Sequence, residues 1–98
     1  MNIVFHEGVL GKDIEVKHIQ SGDMFVLLIS DESEAGEVDW IKHVSFNPLP
    51  DELLQKLKKG VKVRVKSKLK HLRWVDPKSS RQRTRLTCVV VDILLCDK

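Results

Sequence analysis

The feature that most constrains the fold is a strict alternation of apolar and cationic residues from Val61 to Lys70. Successive side chains of a β-strand point to opposite faces, so this two-residue period predicts one strand with two unlike faces. The face that suits a core consists of Val61, Val63, Val65, Ser67 and Leu69. The opposite face consists of Lys62, Arg64, Lys66, Lys68 and Lys70. Continued without a bulge, the cationic face reaches Leu72 and ends at the indole of Trp74.

A row of cations that ends in an exposed aromatic ring suits a polyanion whose bases can stack. The alternative is an ordinary amphipathic strand, or an edge strand, in which lysines prevent aggregation. The distribution of charge favours the polyanion. Residues 1–55 contain three Lys/Arg and eleven Asp/Glu, whereas residues 56–85 contain thirteen Lys/Arg and one acid. This asymmetry is a stronger indication than the net charge of +3.

The rest of the chain predicts an all-β fold in a single domain over residues 1–98. The expected strands are residues 2–19 with an interruption at Gly11, then 24–30, 38–46, the basic strand, and 83–96. A short helix over residues 52–59, capped by Asp51 and ended by Gly60, separates the third and fourth strands. Five strands with one short helix in this position predict an OB-fold barrel. Closure of the sheet removes its edges and leaves one outer face for a ligand.

The third predicted strand adds aromatic residues to the binding hypothesis. Its even positions share one face: Trp40, Lys42, Val44 and Phe46. Two large rings with a lysine favour a surface for base stacking, where each stacked base is worth roughly 1–3 kcal/mol. The alternative is that Trp40 and Phe46 fill the barrel while Ile41 faces outward. Trp74 favours the stacking surface, because an indole in a basic hairpin without apolar neighbours is difficult to place in a core.

From these patterns we predict a nucleic-acid site in which aromatic rings accept bases and cations follow the backbone. Its rings are Trp40, Phe46 and Trp74, and its cations are Lys42, Lys59, Lys62, Arg64, Lys66, Lys68, Lys70 and Arg73. Arg83 and Arg85 are further candidates beyond the same hairpin. Two alternatives stay open: an OB module that binds RNA, and an OB domain that binds only proteins.

The motifs and their order resemble those of bacterial single-stranded DNA-binding proteins over nearly the whole chain. Residues 8–16 (GVLGKDIEV) are similar to the G-x-L-G-x-D-P-E-V opening of that family, and residues 70–76 (KHLRWVD) to its R-x-R-x-W-x-D arm. The resemblance implies an OB-fold that binds single-stranded DNA with little sequence preference, in replication, repair or recombination. It implies that Trp40, Phe46 and Trp74 stack on bases. It also implies a second set that contacts phosphate or lies along the strand: Lys42, Lys59, Lys70 and Arg73.

Several positions depart from the family pattern. Ile14 replaces a usual Pro, Ser67 replaces a common Gly, and the acidic loop 31–37 is short and lacks an aromatic residue. A smaller stacking surface is therefore expected.

The sequence stops at Lys98 without the flexible tail that in the family recruits replication and repair proteins, which suits a compact primosomal, plasmid or phage version. A dimer or tetramer is expected, both from the family and because residues 24–29 are apolar on both faces.

Catalysis, metals and cofactors are not expected. The four histidines have no metal-ligand spacing, and the acids cluster where like charges repel. His43 is predicted to be a strand residue and not a base. Cys88 and Cys96 have no activating neighbour, and two unpaired thiols suit a reducing cytoplasm. No signal peptide or membrane span is apparent, which also predicts a cytoplasmic protein without a membrane partner.

Overall fold

The computed structural model describes residues 1–32 and 35–96. Within these residues the chain forms six β-strands and one short helix: β1 Val4–Val9, β2 Glu15–Ile19, β3 Gly22–Glu32, β4 Val38–Ser45, α1 Asp51–Lys56, β5 Lys62–Val75 and β6 Gln82–Leu95. The strands form one sheet with the order β1-β5-β6-β4-β3-β2. Neighbouring strands are antiparallel except β4 and β6, which are parallel. The predicted all-β class with one short helix is confirmed.

The predicted closed barrel of five strands is wrong. The turn after Leu10 divides the first extended segment into β1 and β2, which lie at opposite edges of the sheet, so the helix falls between the fourth and fifth strands. The end of β1 reaches β3 through an isolated bridge between Leu10 and Ile29, with no continuous ladder, and the strand order is therefore open. Gly8 permits this approach, because a Cβ atom there would collide with the Ser30 carbonyl oxygen.

The helix is shorter than predicted and begins one residue earlier. It spans Asp51–Lys56 and follows Pro50, whose carbonyl accepts a hydrogen bond from the Leu54 N–H, and no side chain caps it. The chain leaves the helix at Leu57, which turns into the core and is fully buried. Gly60 has a positive φ of 90°, as expected for a glycine that ends this segment. None of the helices in residues 1–32 and 35–96 is long and apolar enough to cross a membrane.

The core lies on the inner face of the sheet. Its buried apolar residues are Leu10, Leu27, Ile29, Leu57, Val63, Val65 and Val90. Along β5, Val63 and Val65 are fully buried as predicted, whereas Leu69 is 38% exposed. This change occurs because β5 pairs with β1 only as far as Ser67, and beyond it β5 pairs with β6 alone. The two-stranded ribbon formed by residues 70–87 is called the arm below.

The extra residue of the β5–β6 bulge lies on β6, so the predicted alternation along β5 is not interrupted. Lys66 pairs with Asp92 and Ser67 with Val90, so Val91 on β6 is the residue left over. A bulge of this kind increases the local twist and bends the strand pair. It divides the cationic row into a half beside β1 and a half that leads into the arm.

Strand β3 is buried on both faces within a single chain. Phe25, Leu27 and Ile29 are buried on one face, and Val26 is 4% exposed on the other. Burial within the chain therefore accounts for this apolar segment without a second copy. Asp31 and Glu32 of the predicted acidic loop extend β3 and pair with Asp39 and Val38 of β4. Residues 33 and 34 of that loop lie outside the described residues.

Candidate nucleic-acid interface

One face of β4 points away from the core, as the positions of its aromatic residues predict. Trp40 is 48% exposed, and Phe46, which directly follows the strand, is 38% exposed. His43 on the opposite face is fully buried. The alternative in which Ile41 faces outward is therefore wrong. Strand register places Lys42 and Val44 on the same face as Thr87 and Val89 of β6.

A groove with a volume of about 1180 Å³ crosses this face. It lies between the β2–β3 hairpin on one side and the arm on the other, and β4 forms its floor. Residues from all three regions line it, among them Lys17, Met24, Lys42, Phe46, Trp74 and Arg85. Apolar side chains and cations therefore alternate around one concave surface, which is the composition that a stacked and negatively charged strand requires.

Phe46 also borders a second, smaller depression of about 270 Å³. Lys68 and Lys70 line that depression together with Val89. Since Phe46 lines both concavities, the depression beside the second half of β5 adjoins the groove, and the two are treated together as one surface. The predicted site residues that meet on this surface are Lys42, Phe46, Lys68, Lys70, Arg73 and Trp74.

The other half of the predicted cationic row lies beside β1 and has contacts of its own. The Arg64 guanidinium contacts Glu7 Oε1 at 3.1 Å, and Lys62 Nζ lies 3.9 Å from Glu7 Oε2. The Cys96 thiol also donates to Glu7 Oε1. These hydrogen bonds, from Cys96 first and then Arg64, lower the pKa of the Glu7 carboxyl, and the charge of Lys62 lowers it further. Lys66 Nζ lies 6.0 Å above the centre of the Phe5 ring.

Two further predicted residues lie outside the groove. Lys59 follows α1, and its backbone N–H donates to Asp13. Trp40 packs its indole on Gly11, where an added Cβ would lie only 2.7 Å from Trp40 Cζ3. Trp40 also lies on the acidic β3–β4 hairpin, in which Asp31 pairs with Asp39. Trp40 thus shares a face with Lys42 but has different surroundings from Trp74.

The groove contains residues that the sequence did not identify. Lys17, Ile19 and Met24 belong to the acidic half of the sequence, where no basic pattern indicates a site. The predicted hairpin could have indicated them, because the pairing of β2 with β3 and of β3 with β4 brings these residues to the side of β4. Of the two further candidates, Arg85 lines the groove, whereas Arg83 Nε donates to Asp76 Oδ2 at 3.0 Å.

Lys42 is half-buried on the floor of the groove. Burial lowers the pKa of its ammonium group, and the neighbouring charges of Lys17 and Arg85 lower it further, with Glu15 opposing them. Positive charge is therefore concentrated around this side chain.

A buried polar network lies on the opposite face of β4. His43 Nδ1 lies 2.9 Å from Ser67 Oγ, and His43 Nε2 lies 2.9 Å from His6 Nδ1. Both His43 and Ser67 are fully buried, so no substrate can reach the hydroxyl. Burial, with a smaller contribution from His6, lowers the pKa of His43 to about 4, and its ring is neutral at pH 7. Within residues 1–32 and 35–96, no group of three or more side chains could hold a metal ion.

The chain resembles known proteins in sequence and in fold. A family model described as the single-strand binding protein family matches residues 1–96. Among solved structures, the chain is similar to the Plasmodium falciparum SSB in complex with ssDNA, with a TM-score of 0.70 and 19% sequence identity. That match covers 99% of this chain and 96% of the other. No curated protein matches the chain. The structural similarity supports an OB-like fold.

Proposed function

Because the chain belongs to the single-strand binding protein family, we propose that it binds single-stranded DNA along the groove and the adjoining depression. The observation that carries this proposal is the presence of Phe46 and Trp74 with Lys42 in one concave surface. Flat rings accept bases of any sequence, and cations gain free energy by releasing counterions from the backbone. The similar solved structure, which is a complex of an SSB with ssDNA, supports the same ligand.

The strand would enter beside Lys68 and Lys70, pass Phe46 and reach Trp74 in the groove. We assign the main contacts to this surface and a weaker contribution to Lys59, Lys62, Arg64 and Lys66. Ion pairs with Glu7 already offset part of the charge of Lys62 and Arg64. Trp40 would stack only on a strand that continues past Lys42 toward the acidic hairpin.

The wider role follows from the family and stays a proposal. It is binding without catalysis, by a single domain over residues 1–98, in replication, repair or recombination in the cytoplasm. Self-association as a dimer or tetramer belongs to the same proposal. Contacts with replication or repair proteins are part of the same proposal.

Substitution of Trp74 tests the stacking contact. Trp74→Ala should weaken binding to oligo-dT by roughly 1–3 kcal/mol, or about 5- to 150-fold, because it removes one stacking surface. The indole is 43% exposed, so thermal unfolding should change little. Fluorescence anisotropy of a labelled oligonucleotide measures the affinity.

The matched control is Phe5→Ala, since Phe5 is an aromatic residue that is 69% exposed and lies on β1, away from the groove. Its affinity should equal that of the wild type. Equal affinities for Trp74→Ala and the wild type would refute the stacking contact. Competition with an RNA oligomer of matched sequence decides the nucleic-acid class, and wild-type protein that binds neither oligomer would indicate the protein-binding alternative.

A further inference from the structure

Three cations from three different strands meet in the groove. Lys17 lies on β2, Lys42 on β4 and Arg85 on β6, and all three line the same concave surface. They are separated in sequence by 25 and 43 residues, so only the fold brings them together. Lys42 is the deepest of the three, being half-buried, whereas Lys17 and Arg85 are exposed above it.

Within residues 1–32 and 35–96, cations outnumber carboxylates among the charged groups that act on Lys42. The carboxylate that acts on Lys42 is Glu15, and its oxygens already contact Lys12 at 2.7 Å and Lys17 at 3.9 Å. Lys12 is a fourth cation whose charge also acts on Lys42. Four positive groups and the Glu15 carboxylate therefore interact in this part of the molecule. Because like charges repel, an anion placed among them would stabilise the arrangement.

We propose that Lys17, Lys42 and Arg85 together bind one backbone phosphate of the DNA strand. This proposal rests on the proposed function and identifies two binding residues: Lys17, which the sequence pattern did not indicate, and Arg85, which it gave only as a further candidate. An arginine fork can bind two phosphate oxygens at once, and a lysine acts as a point charge beside it. The phosphate would lie over β4, with neighbouring bases directed to Phe46 and Trp74 on the same groove.

The chemistry of the groove favours a phosphodiester over a lone anion. Apolar lining residues such as Met24 and Leu72 lie next to the cations and offer nothing to a small ion. They offer contact area to the sugar and base on either side of a phosphate. A position where three cations converge would also fix where the strand crosses the sheet, which dispersed surface lysines cannot do.

The test is the salt dependence of oligo-dT binding by Lys17→Gln, Arg85→Gln and the double variant. For single strands the slope of log K against log salt is about −0.7 per phosphate neutralised. Each single variant should bind oligo-dT more weakly than the wild type, because one of the three cations around the phosphate is lost. The slope of the double variant should be shallower by no more than about 0.7, because both residues bind the same phosphate. Lys56→Gln removes the same charge from α1, outside both concavities, and should leave the slope unchanged.

The possible results separately test the phosphate cluster, the sharing of one phosphate, and the proposed function. A wild-type affinity and slope in the double variant would overturn the phosphate cluster, provided that Trp74→Ala still weakens binding. A change of roughly 1.4 in the double variant would overturn the shared phosphate, since it corresponds to two phosphates. Failure of the wild type to bind oligo-dT would instead refute the proposed function. Equal thermal unfolding of all variants controls for folding.

Discussion

His43 is a histidine whose side chain is fully buried, and this burial disfavours the charged form of its ring. It is fully buried between His6 and Ser67, and the His6 and His43 rings stack with centroids 5.1 Å apart. His6 Nε2 in turn lies 3.0 Å from the Ser30 carbonyl oxygen. The chain of hydrogen bonds thus joins β1, β3, β4 and β5, and it satisfies ring nitrogens that would otherwise be buried without partners. Its role is structural.

This network predicts a decrease of stability in acid. The pKa of His43 is about 4 in the folded chain against 6.5 ordinarily, so the unfolded chain binds more protons between these values. Stability should therefore be highest above pH 6.5 and fall as the pH decreases toward 4. The pKa difference corresponds to roughly 3 kcal/mol. Urea unfolding of the wild type and His43→Gln across this range measures the effect.

The two proteins differ only in the side chain at position 43, so the difference between their pH dependences isolates His43. Parallel curves would contradict the assignment. If His43→Gln does not fold, NMR titration of the wild-type imidazoles replaces it. A His43 signal that titrates near pH 6.5 would then be the contradictory result.

At the scale of elements, β5 separates into two halves with different partners. The first half lies between β1 and β6, and its cations contact Glu7 or Phe5. The second half continues into the arm, where Lys68 and Lys70 line the depression beside Phe46. One alternating pattern in the sequence thus serves two surfaces.

This division predicts unequal contributions to DNA binding. Replacing Lys68 and Lys70 together by Gln should make the salt slope shallower by about 0.7 for each phosphate that the protein no longer neutralises. Replacing Lys62 and Arg64 together should change it by less, because Glu7 already offsets part of their charge. Both pairs remove the same net charge, so each is the matched control of the other. Equal slopes for the two double variants would contradict the division.

The alternation and turn signals were sufficient to predict the elements but not their connections. The two-residue period predicted β5 and its buried residues Val63 and Val65, and the outward position of Trp40 was also correct. The turn at Gly11 was predicted, but local residues do not show that the segments on its two sides go to opposite edges of the sheet. The hydrogen bond between Glu7 and Arg64 spans 57 residues, and no sequence pattern reveals it.

In the whole molecule, the acidic and basic halves of the sequence do not form two separate surfaces, because residues from both halves lie side by side. The acidic half supplies β1, whose Glu7 offsets part of the charge at the start of the basic strand, and β2, whose Lys17 adds a cation to the groove. The basic half supplies the arm, which lies on the side of the groove opposite β2. The concave surface therefore combines residues from both halves, which is why composition indicated the ligand class and not the full set of binding residues.

The most direct test of the central claim compares single-stranded and duplex DNA at about 50 and 200 mM salt. Paired bases cannot lie on Trp74 and Phe46, so oligo-dT should bind more tightly than a duplex of equal length and should quench tryptophan fluorescence. Its affinity should fall steeply between the two salt concentrations. Equal affinity for duplex and single strand, without quenching, would contradict the claim that this groove binds unpaired bases.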